Sequence, residues 1–269
     1  MNPILSALKS VVPESVKEAV RSTRARRRNE RFTPYLKKKT VEGINFDFWI
    51  GDPDGANWYD IHCGDPVWLE MRYLRDLLIT EGDVVIECGG HHGCTAILLA
   101  NWVGNGGKVV TFEASPGNCD IIAKNIALNN LPNLTLERKA VGAEQGKIMI
   151  NTVSNASVLL AGRGVEVDMV RLDDYADLKP TLLKIDVEGF EGQVLRGARR
   201  ILATRPKLAI EVHTTTLAQY NTSVEDIFRL IGIENYHCRV YWGGAEPPTE
   251  YDSKEPITKP VHLFCTPLP

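Results

Sequence analysis

An acid, three glycines and two histidines stand together in residues 87–93, directly after an apolar run. The glycines at positions 89, 90 and 93 permit a tight turn, and a helix starting just after them would offer free N–H groups to a ligand. A second acid, Glu113, ends the next apolar run, 24 residues after Gly89. At that spacing an acid can accept both hydroxyls of a ribose. The two segments predict nucleoside binding, although the glycines do not follow G-x-G-x-x-G.

A denser group of acids follows a later apolar run. Asp186, Glu188 and Glu191 fall within six residues, and the run after them ends with Glu211 and His213. Acids at the end of a buried strand cost desolvation energy unless they serve a cation, a ligand or a hydrogen-bond donor. The alternation of side chains along a strand puts Glu211 and His213 on the same face. A purely structural role for His213 is the alternative.

These residues need a sheet to bring them together. Apolar runs alternate with helical stretches, which predicts a mostly parallel sheet covered by helices on both faces. The final two runs have no helix between them and predict an antiparallel hairpin at one edge. We expect residues 142–180 to be an irregular insertion near the ligand, with a hairpin at 146–153. The predicted strands are 84–88, 108–113, 134–141, 182–187, 208–212, 237–241 and 261–265, and the predicted helices are 66–79, 94–103, 117–129, 190–203 and 223–232.

The composition is that of a globular protein of 269 residues with 43% hydrophobic content. No charge-free run of 18 apolar residues occurs, which argues against a spanning helix, and residues 3–20 lack the pattern of a signal peptide. The six cysteines show no framework spacing. We therefore expect reduced thiols and a cytoplasmic location.

Charge divides the chain into two parts. Residues 1–39 hold 11 basic and 3 acidic residues, whereas the remainder holds 20 basic and 31 acidic residues. We predict a basic helical arm over residues 1–40 and a single domain over 41–269. The arm either packs on the body or on a second subunit, giving a homodimer, or lies on an anionic membrane through residues 1–31. Nucleic-acid binding is disfavoured, because the arm lacks interleaved aromatics and the body is acidic.

The motifs taken in order resemble the FkbM family of S-adenosylmethionine-dependent methyltransferases. The resemblance runs over roughly residues 60–265. It implies the seven-stranded Rossmann-like fold of class I methyltransferases, S-adenosylmethionine as cofactor, and methyl transfer to a hydroxyl of a sugar, glycolipid or natural product. The segments that carry it are 87–93, 112–116, 125–129, 140–142, 171–175, 184–191, 195–198 and 211–213.

The resemblance also suggests a role for each residue. We expect the turn residues Gly89, Gly90, His91 and Gly93 to approach the methionine part of the cofactor, with Glu87 at its amino group. Glu113, followed by Ala114, takes the ribose, and Ala140 or Val141 lines the adenine. Asp186 lies beside the sulfonium and the acceptor, where His213 is the candidate general base and Glu211 is either its orienter or a second carboxylate. Acceptor selection falls to Trp58, Tyr59, Tyr241, Trp242 and the 151–165 insertion.

Several alternatives stay open at this stage. Three carboxylates suit magnesium, so Asp186, Glu188 and Glu211 could share a divalent cation, although the resemblance requires no metal. A zinc site on Cys88, His91, His92 and Cys94 is disfavoured, because those residues occupy the cofactor turn. The rival functions are an NAD-dependent oxidoreductase, a non-catalytic nucleotide-binding protein and an N-methyltransferase. The last normally carries an Asn/Asp-Pro-Pro-Tyr segment where this chain has Asp186-Val187-Glu188-Gly189.

Overall fold

The structure, a computed structural model, describes residues 27–62, 67–151, 156–160, 164–252 and 255–269. Most of the predicted arm helix lies outside the described residues, and residues 27–30 are helical. Cys63 and the predicted helix start at Asp65 and Pro66 also lie outside them. No helix in the described part of the chain is long and apolar enough to cross a membrane.

The main sheet has the predicted mixed architecture. Its order is β13-β12-β14-β11-β10-β3-β4-β5, with β5, β4, β3, β10 and β11 parallel and the C-terminal strands antiparallel. Seven strands form the expected fold, and the two-residue β13 adds an eighth at the edge. The strands of this sheet are β3 (Val84–Cys88), β4 (Lys108–Phe112), β5 (Leu134–Glu137), β10 (Leu182–Ile185), β11 (Lys207–Val212), β12 (Tyr236–Tyr241), β13 (Thr249–Glu250) and β14 (Val261–Pro267).

Helices cover both faces of the sheet, as the continuous apolar strands predict. The α-helices are α1 (Pro53–Ala56), α2 (Leu69–Leu78), α3 (Cys94–Val103), α4 (Pro116–Asn129), α5 (Glu191–Arg196), α6 (Arg199–Leu202) and α7 (Val224–Ile231). On one face Val85 packs with side chains of α2 and α3, and on the other Ile86 packs with side chains of α5 and α7. The predicted helix over 190–203 is two helices, because the backbone leaves helical geometry at Gly197 (ψ 4°) and Ala198 (ψ 19°).

The insertion after β5 forms a small sheet of its own. The run predicted as one strand over 134–141 divides, so that Leu134–Glu137 stays in the main sheet while Ala140–Val141 starts the small one. The order of the small sheet is β6-β9-β7-β8. Its strands are β6 (Ala140–Val141), β7 (Gly146–Asn151), β8 (Ser157–Val158) and β9 (Val165–Val170).

A hairpin of β1 (Tyr35–Val41) and β2 (Ile44–Ile50) precedes the main sheet. Two asparagines of α4 hold it there. Asn129 Oδ1 accepts from Asp47 N at 2.9 Å, and Asn125 Oδ1 accepts from Trp49 N at 2.6 Å. Residue 40, the predicted boundary between arm and domain, therefore falls inside a strand of this hairpin.

Two cysteines form a bond that the sequence did not indicate. Cys238 on β12 and Cys265 on β14 are directly opposite in antiparallel register, with 4.2 Å between their Cα atoms, and they are joined as a disulfide. The prediction of reduced thiols is wrong for this pair, because strand pairing brings together residues 27 positions apart. Cys88, Cys94 and Cys119 are free and buried.

Candidate active site

A cavity of about 420 Å³ opens at the carboxyl ends of β3, β4, β10 and β11. Its wall includes most of the predicted cofactor residues and two of the three predicted catalytic ones. Those lining residues are Gly89, Gly90, His91, Glu113, Ala114, Ala140, Val141, Asp186 and Glu211. Glu87, Gly93 and His213 are not among the residues that line it.

The turn after β3 depends on the absence of side chains at two glycines. Gly89 has φ +94°, and a Cβ atom there would lie 1.8 Å from the carbonyl oxygen of Asp186. Both Gly89 N and Gly90 N donate to the Phe112 carbonyl oxygen at 3.0 Å. Gly93 (φ +85°) precedes α3 and shapes its start. Gly89 and Gly90 thus line the cavity without side chains, which allows a ligand to approach the backbone closely, while their N–H groups are held by Phe112.

Glu113 is fixed by backbone donors and still faces the cavity. Its Oε2 accepts from His91 N at 2.8 Å, and its Oε1 accepts from Ser115 N at 2.8 Å. Burial raises the pKa of Glu113 to about 7, although these hydrogen bonds favour the ionised form. A carboxylate has about four acceptor positions. His91 N, Ser115 N and, at 3.4 Å, Asn118 Nδ2 take three of them, so one remains for a ribose hydroxyl.

Glu87 lies beneath the turn rather than in the cavity. Its side chain is fully buried, its Oε2 accepts from Thr111 Oγ1 at 2.7 Å, and its Oε1 is 3.9 Å from Lys184 Nζ. Burial raises the pKa of Glu87. Glu87 therefore does not line the cavity in which its expected partner, the cofactor's amino group, would bind.

Lys184 is a site residue that the sequence analysis missed. Its buried Nζ donates to Asp186 Oδ2 at 3.0 Å and lies near Glu87. Burial opposes the charge of the lysine, but Asp186 and Glu87 outweigh burial and raise the pKa of Lys184. Burial also opposes ionisation of Asp186, yet Lys184 holds the pKa of that carboxyl below its usual value. A lysine inside the apolar run Leu182-Leu183-Lys184-Ile185 was the available signal.

His213 is enclosed by carboxylates. Its Nδ1 is 2.7 Å from Glu191 Oε1, and its Nε2 is 3.5 Å from Glu211 Oε1. Burial lowers the pKa of His213, but Glu191 and the other acids outweigh it and raise that pKa to about 9. In this arrangement the imidazole already holds both protons at neutral pH, so it is poorly suited to the predicted role of general base.

Glu70 and His262 are the other residues that the sequence analysis missed. Both line the cavity, with His262 Nδ1 3.5 Å from Glu70 Oε1 and 3.9 Å from Glu211 Oε2. Burial lowers the pKa of His262 and raises that of Glu70 to about 7. Burial, together with Asp186, raises the pKa of Glu211 to about 7 as well. His262 meets Glu211 because β14 pairs with β11, a strand order that local sequence patterns do not contain.

The two histidines of the turn have different surroundings. The Tyr59 hydroxyl is hydrogen-bonded to His91 Nδ1 at 2.7 Å, and the His91 ring stacks on that of His92 with centroids 4.2 Å apart. Burial lowers the pKa of His91 to about 3, so its ring is neutral.

Among the described residues, the groups with metal-ligand geometry are Glu70–Glu211–His262 and Asp186–Glu211–His213. The zinc alternative on the turn is not among them.

Only some of the residues expected to select the acceptor line the cavity. Trp58 and Tyr59 line the cavity, as do Ala156, Ser157 and Val158 of the insertion. Tyr241 instead packs its ring against Tyr73 and His262, and Trp242 packs against the core under α7.

Comparison with known proteins identifies a methyltransferase family. A family model described as the methyltransferase FkbM domain matches residues 87–238, more than half of the chain. A tRNA (adenine(57)-N(1)/adenine(58)-N(1))-methyltransferase of Methanocaldococcus jannaschii is 28% identical over 125 residues, which are 36% of this chain and 44% of that protein. The match thus spans less than half the length of this curated relative.

Two solved structures are similar at low identity. One is methyltransferase FkbM from Methylobacillus flagellatus KT, with a TM-score of 0.49 and 20% identity over 70% of this chain and 45% of that chain. The other is a SAM-dependent O-methyltransferase from Thermotoga maritima, with a TM-score of 0.48 and 13% identity over 86% of this chain and 77% of that chain.

Proposed function

Since the chain belongs to the FkbM family of S-adenosylmethionine-dependent methyltransferases, we propose that it transfers a methyl group to a hydroxyl oxygen of a sugar, glycolipid or natural-product scaffold. The observation that carries this proposal is a single cavity with two chemically different walls. One wall consists of the glycine turn and Glu113, and the other includes Asp186, Glu211, Glu70 and His262. The first suits a nucleoside, and the second offers proton acceptors to a second substrate.

The cofactor wall carries groups that suit S-adenosylmethionine. Gly89 and Gly90 would present backbone to the methionine part, and Glu113 would offer an acceptor position to the ribose. Ala114, Ala140 and Val141 give small apolar surfaces on which the adenine can lie. Glu87 lies below this wall, where it accepts a hydrogen bond from Thr111 and lies near Lys184. The Lys184 ammonium in turn donates a hydrogen bond to Asp186.

When bound, S-adenosylmethionine supplies a methyl group on a positively charged sulfur. The chain must hold the acceptor oxygen in line with that methyl group, which supplies much of the rate acceleration. As the new carbon–oxygen bond forms and the carbon–sulfur bond breaks, the hydroxyl loses its proton. Asp186 and Glu211 place carboxylates on the cavity wall that can take this proton. His213, whose Nδ1 is hydrogen-bonded to Glu191, places its Nε2 3.9 Å from Asp186 Oδ1 and 3.5 Å from Glu211 Oε1.

An aromatic ring at the cavity favours a sugar-like acceptor. Trp58 lines the cavity and is 38% exposed, so its ring can offer a face to a pyranose. Tyr59 also lines the cavity, but it is buried and packs its ring against Phe48 and His91. The oxidoreductase alternative loses its support, because the family is one of methyltransferases. Methylation of an adenine nitrogen, which the name of the tRNA-modifying relative describes, is the competing outcome that an acceptor test must include.

The basic residues before the hairpin belong to the same proposal. A cluster at positions 24–28 suits the anionic surface that carries a lipid-linked acceptor. Arg28 pairs with Asp54 of the body, so a clean test removes residues 1–26 only. We expect full-length protein to sediment with anionic vesicles at low salt, and the truncated protein to remain in the supernatant. Equal sedimentation of both proteins would exclude this role.

Binding and turnover together test the proposed function. We expect calorimetric titration to show S-adenosylhomocysteine binding that is lost in Glu113→Ala, with no binding of NAD. A second assay offers S-adenosylmethionine with hydroxyl-bearing glycans, glycolipids and unmodified tRNA, and follows the methylated product by mass spectrometry. Methyl ether on a glycan or glycolipid supports the proposal. Methylation of adenine in tRNA, or cofactor binding without turnover on any hydroxyl, overturns it.

A further inference from the structure

The surroundings of His213 differ sharply between its two ring nitrogens. Nδ1 lies 2.7 Å from Glu191 Oε1, a normal hydrogen-bond length. Nε2 lies 3.5 Å from Glu211 Oε1, 3.6 Å from Glu188 Oε2 and 3.9 Å from Asp186 Oδ1. These three separations exceed hydrogen-bond length, so Nε2 faces converging oxygens that it does not contact closely.

That spacing is the one that ligands have around a shared ion. A divalent cation about 2.1 Å from each donor separates neighbouring donors by roughly 3 to 4 Å. The donor atoms of Asp186, Glu211 and His213 all lie within 4.8 Å of one another. We propose that these three residues bind a divalent cation at the edge of the cavity.

Glu191 provides an independent observation that supports this site. A histidine that ligates a metal usually gives its other N–H to a carboxylate or carbonyl, which fixes the tautomer and the ring orientation. Glu191 is fully buried at the start of α5 and holds His213 Nδ1 in this way, while its Oε1 also accepts from Gly189 N at 2.9 Å. Nε2 is thereby directed to the carboxylates.

The two carboxylate oxygens of Asp186 have different neighbours. Its Oδ2 accepts from Lys184 Nζ at 3.0 Å, whereas its Oδ1 is the oxygen that faces His213. One imidazole nitrogen with two carboxylates is a mixed set that suits Mn²⁺ and similar first-row ions. A second trio, Glu70, Glu211 and His262, shares one carboxylate with the first. We place the ion at His213 because Glu191 orients that imidazole.

A role for the ion in methyl transfer rests on the proposed function, whereas its binding does not. Asp186 and Glu211 line the cavity, so the ion would lie where the acceptor hydroxyl loses its proton. A cation at that position lowers the pKa of a hydroxyl it contacts. Binding is therefore measured without cofactor or acceptor, so that a wrong acceptor class cannot affect the result.

The test is Mn²⁺ titration of the EDTA-treated, desalted protein, with free Mn²⁺ followed by electron paramagnetic resonance. We expect one bound ion per chain. Glu211→Gln and His213→Gln should weaken binding at least tenfold, and Glu191→Gln by about 10- to 100-fold through loss of orientation. Glu70→Gln is the matched control, because it removes an equal charge from the same cavity but not from this site. It should bind Mn²⁺ within about twofold of wild type.

Three results would overturn the proposal. These are no Mn²⁺ binding by wild type, unchanged binding by His213→Gln, and a loss in Glu70→Gln as large as that in Glu211→Gln. The last result would place the ion at Glu70, Glu211 and His262. Thermal melts establish which variants fold. If His213→Gln does not fold, the near-isosteric Glu211→Gln and Asp186→Asn decide the question, because unchanged binding in both would exclude the site.

Discussion

The backbone of Gly89 packs directly against the carbonyl oxygen of Asp186. A Cβ atom at position 89 would lie 1.8 Å from that oxygen, and the φ of +94° is one that side chains rarely tolerate. The hydrogen bond from Asp186 N to the Cys88 carbonyl oxygen, 3.0 Å long, holds the two segments at this distance. The cofactor turn and the acid proposed for the reaction are therefore parts of one rigid unit.

Gly89→Ala should consequently impair both the fold and cofactor binding. A strained φ costs about 1–3 kcal/mol, and the clash is with backbone, which cannot rotate away. We expect a lower melting temperature and at least tenfold weaker S-adenosylhomocysteine binding by calorimetry. Gly106→Ala is the control, because nothing lies within 4 Å of a Cβ atom there. Wild-type affinity in Gly89→Ala would show that the turn can move without affecting the cofactor.

The raised pKa of Glu113, about 7, predicts that cofactor binding depends on pH. The ionised carboxylate accepts ribose hydroxyls best, and below pH 7 most of the unliganded protein carries a protonated Glu113. Affinity for S-adenosylhomocysteine should therefore fall as pH decreases, by about tenfold between pH 8 and pH 6. Calorimetry across this range measures it. Glu113→Gln does not titrate and should show a nearly flat profile; an equally steep profile in that variant would assign the effect to another group.

How far the sequence predicts the site depends on strand order. Glu113 and Asp186 directly follow parallel strands, and Glu211 lies near the end of a third. The carboxyl ends of parallel strands meet at one sheet edge, so the convergence of these acids was predictable. His262 was not, because β14 returns between β11 and β12, and nothing local to residue 262 encodes that position. The same strand pairing hides the partnership of Cys238 and Cys265.

The depth of each residue was harder to predict than its neighbourhood. Glu87 stands at the right strand end, but β3 is covered on both faces of the sheet, so its side chain is completely buried. His213 stands beside Glu211 as expected, yet Glu191 and the other acids keep it charged. A motif gives the position of an acid or a base along the strand, whereas its ionisation depends on burial and on charges from other elements.

The disulfide between Cys238 and Cys265 should contribute measurably to stability. A bond between residues 27 positions apart removes entropy from the unfolded chain, which raises the free energy of unfolding by about 3 kcal/mol. Cys265→Ala should therefore unfold at a lower urea concentration than the oxidised wild type, and a reducing agent should lower the wild type's midpoint but not the variant's. Peptide mapping without reduction identifies the linked pair. If the wild type shows the two thiols free and no response to reductant, the pair is reduced in solution.

Lys184 should be required for folding stability because it is the buried cation between Glu87, which is fully buried, and Asp186, whose side chain is 28% exposed. Its Nζ donates to Asp186 at 3.0 Å and lies 3.9 Å from Glu87. Lys184→Met leaves both carboxylates uncompensated, which typically costs about 3–5 kcal/mol. Urea unfolding of the variant measures this loss. The double variant Lys184→Met/Glu87→Gln should recover part of it, because one stranded charge is gone.

The exposed ion pair of Lys147 with Asp168 provides the control for Lys184. Lys147→Met removes an equal charge from the surface, where solvent screens it, and should leave the unfolding midpoint unchanged. If Lys184→Met were as stable as Lys147→Met, water or a proton would be compensating Glu87 and Asp186. In that case the double variant would show no recovery, and Lys184 would not be the residue that keeps Asp186 ionised.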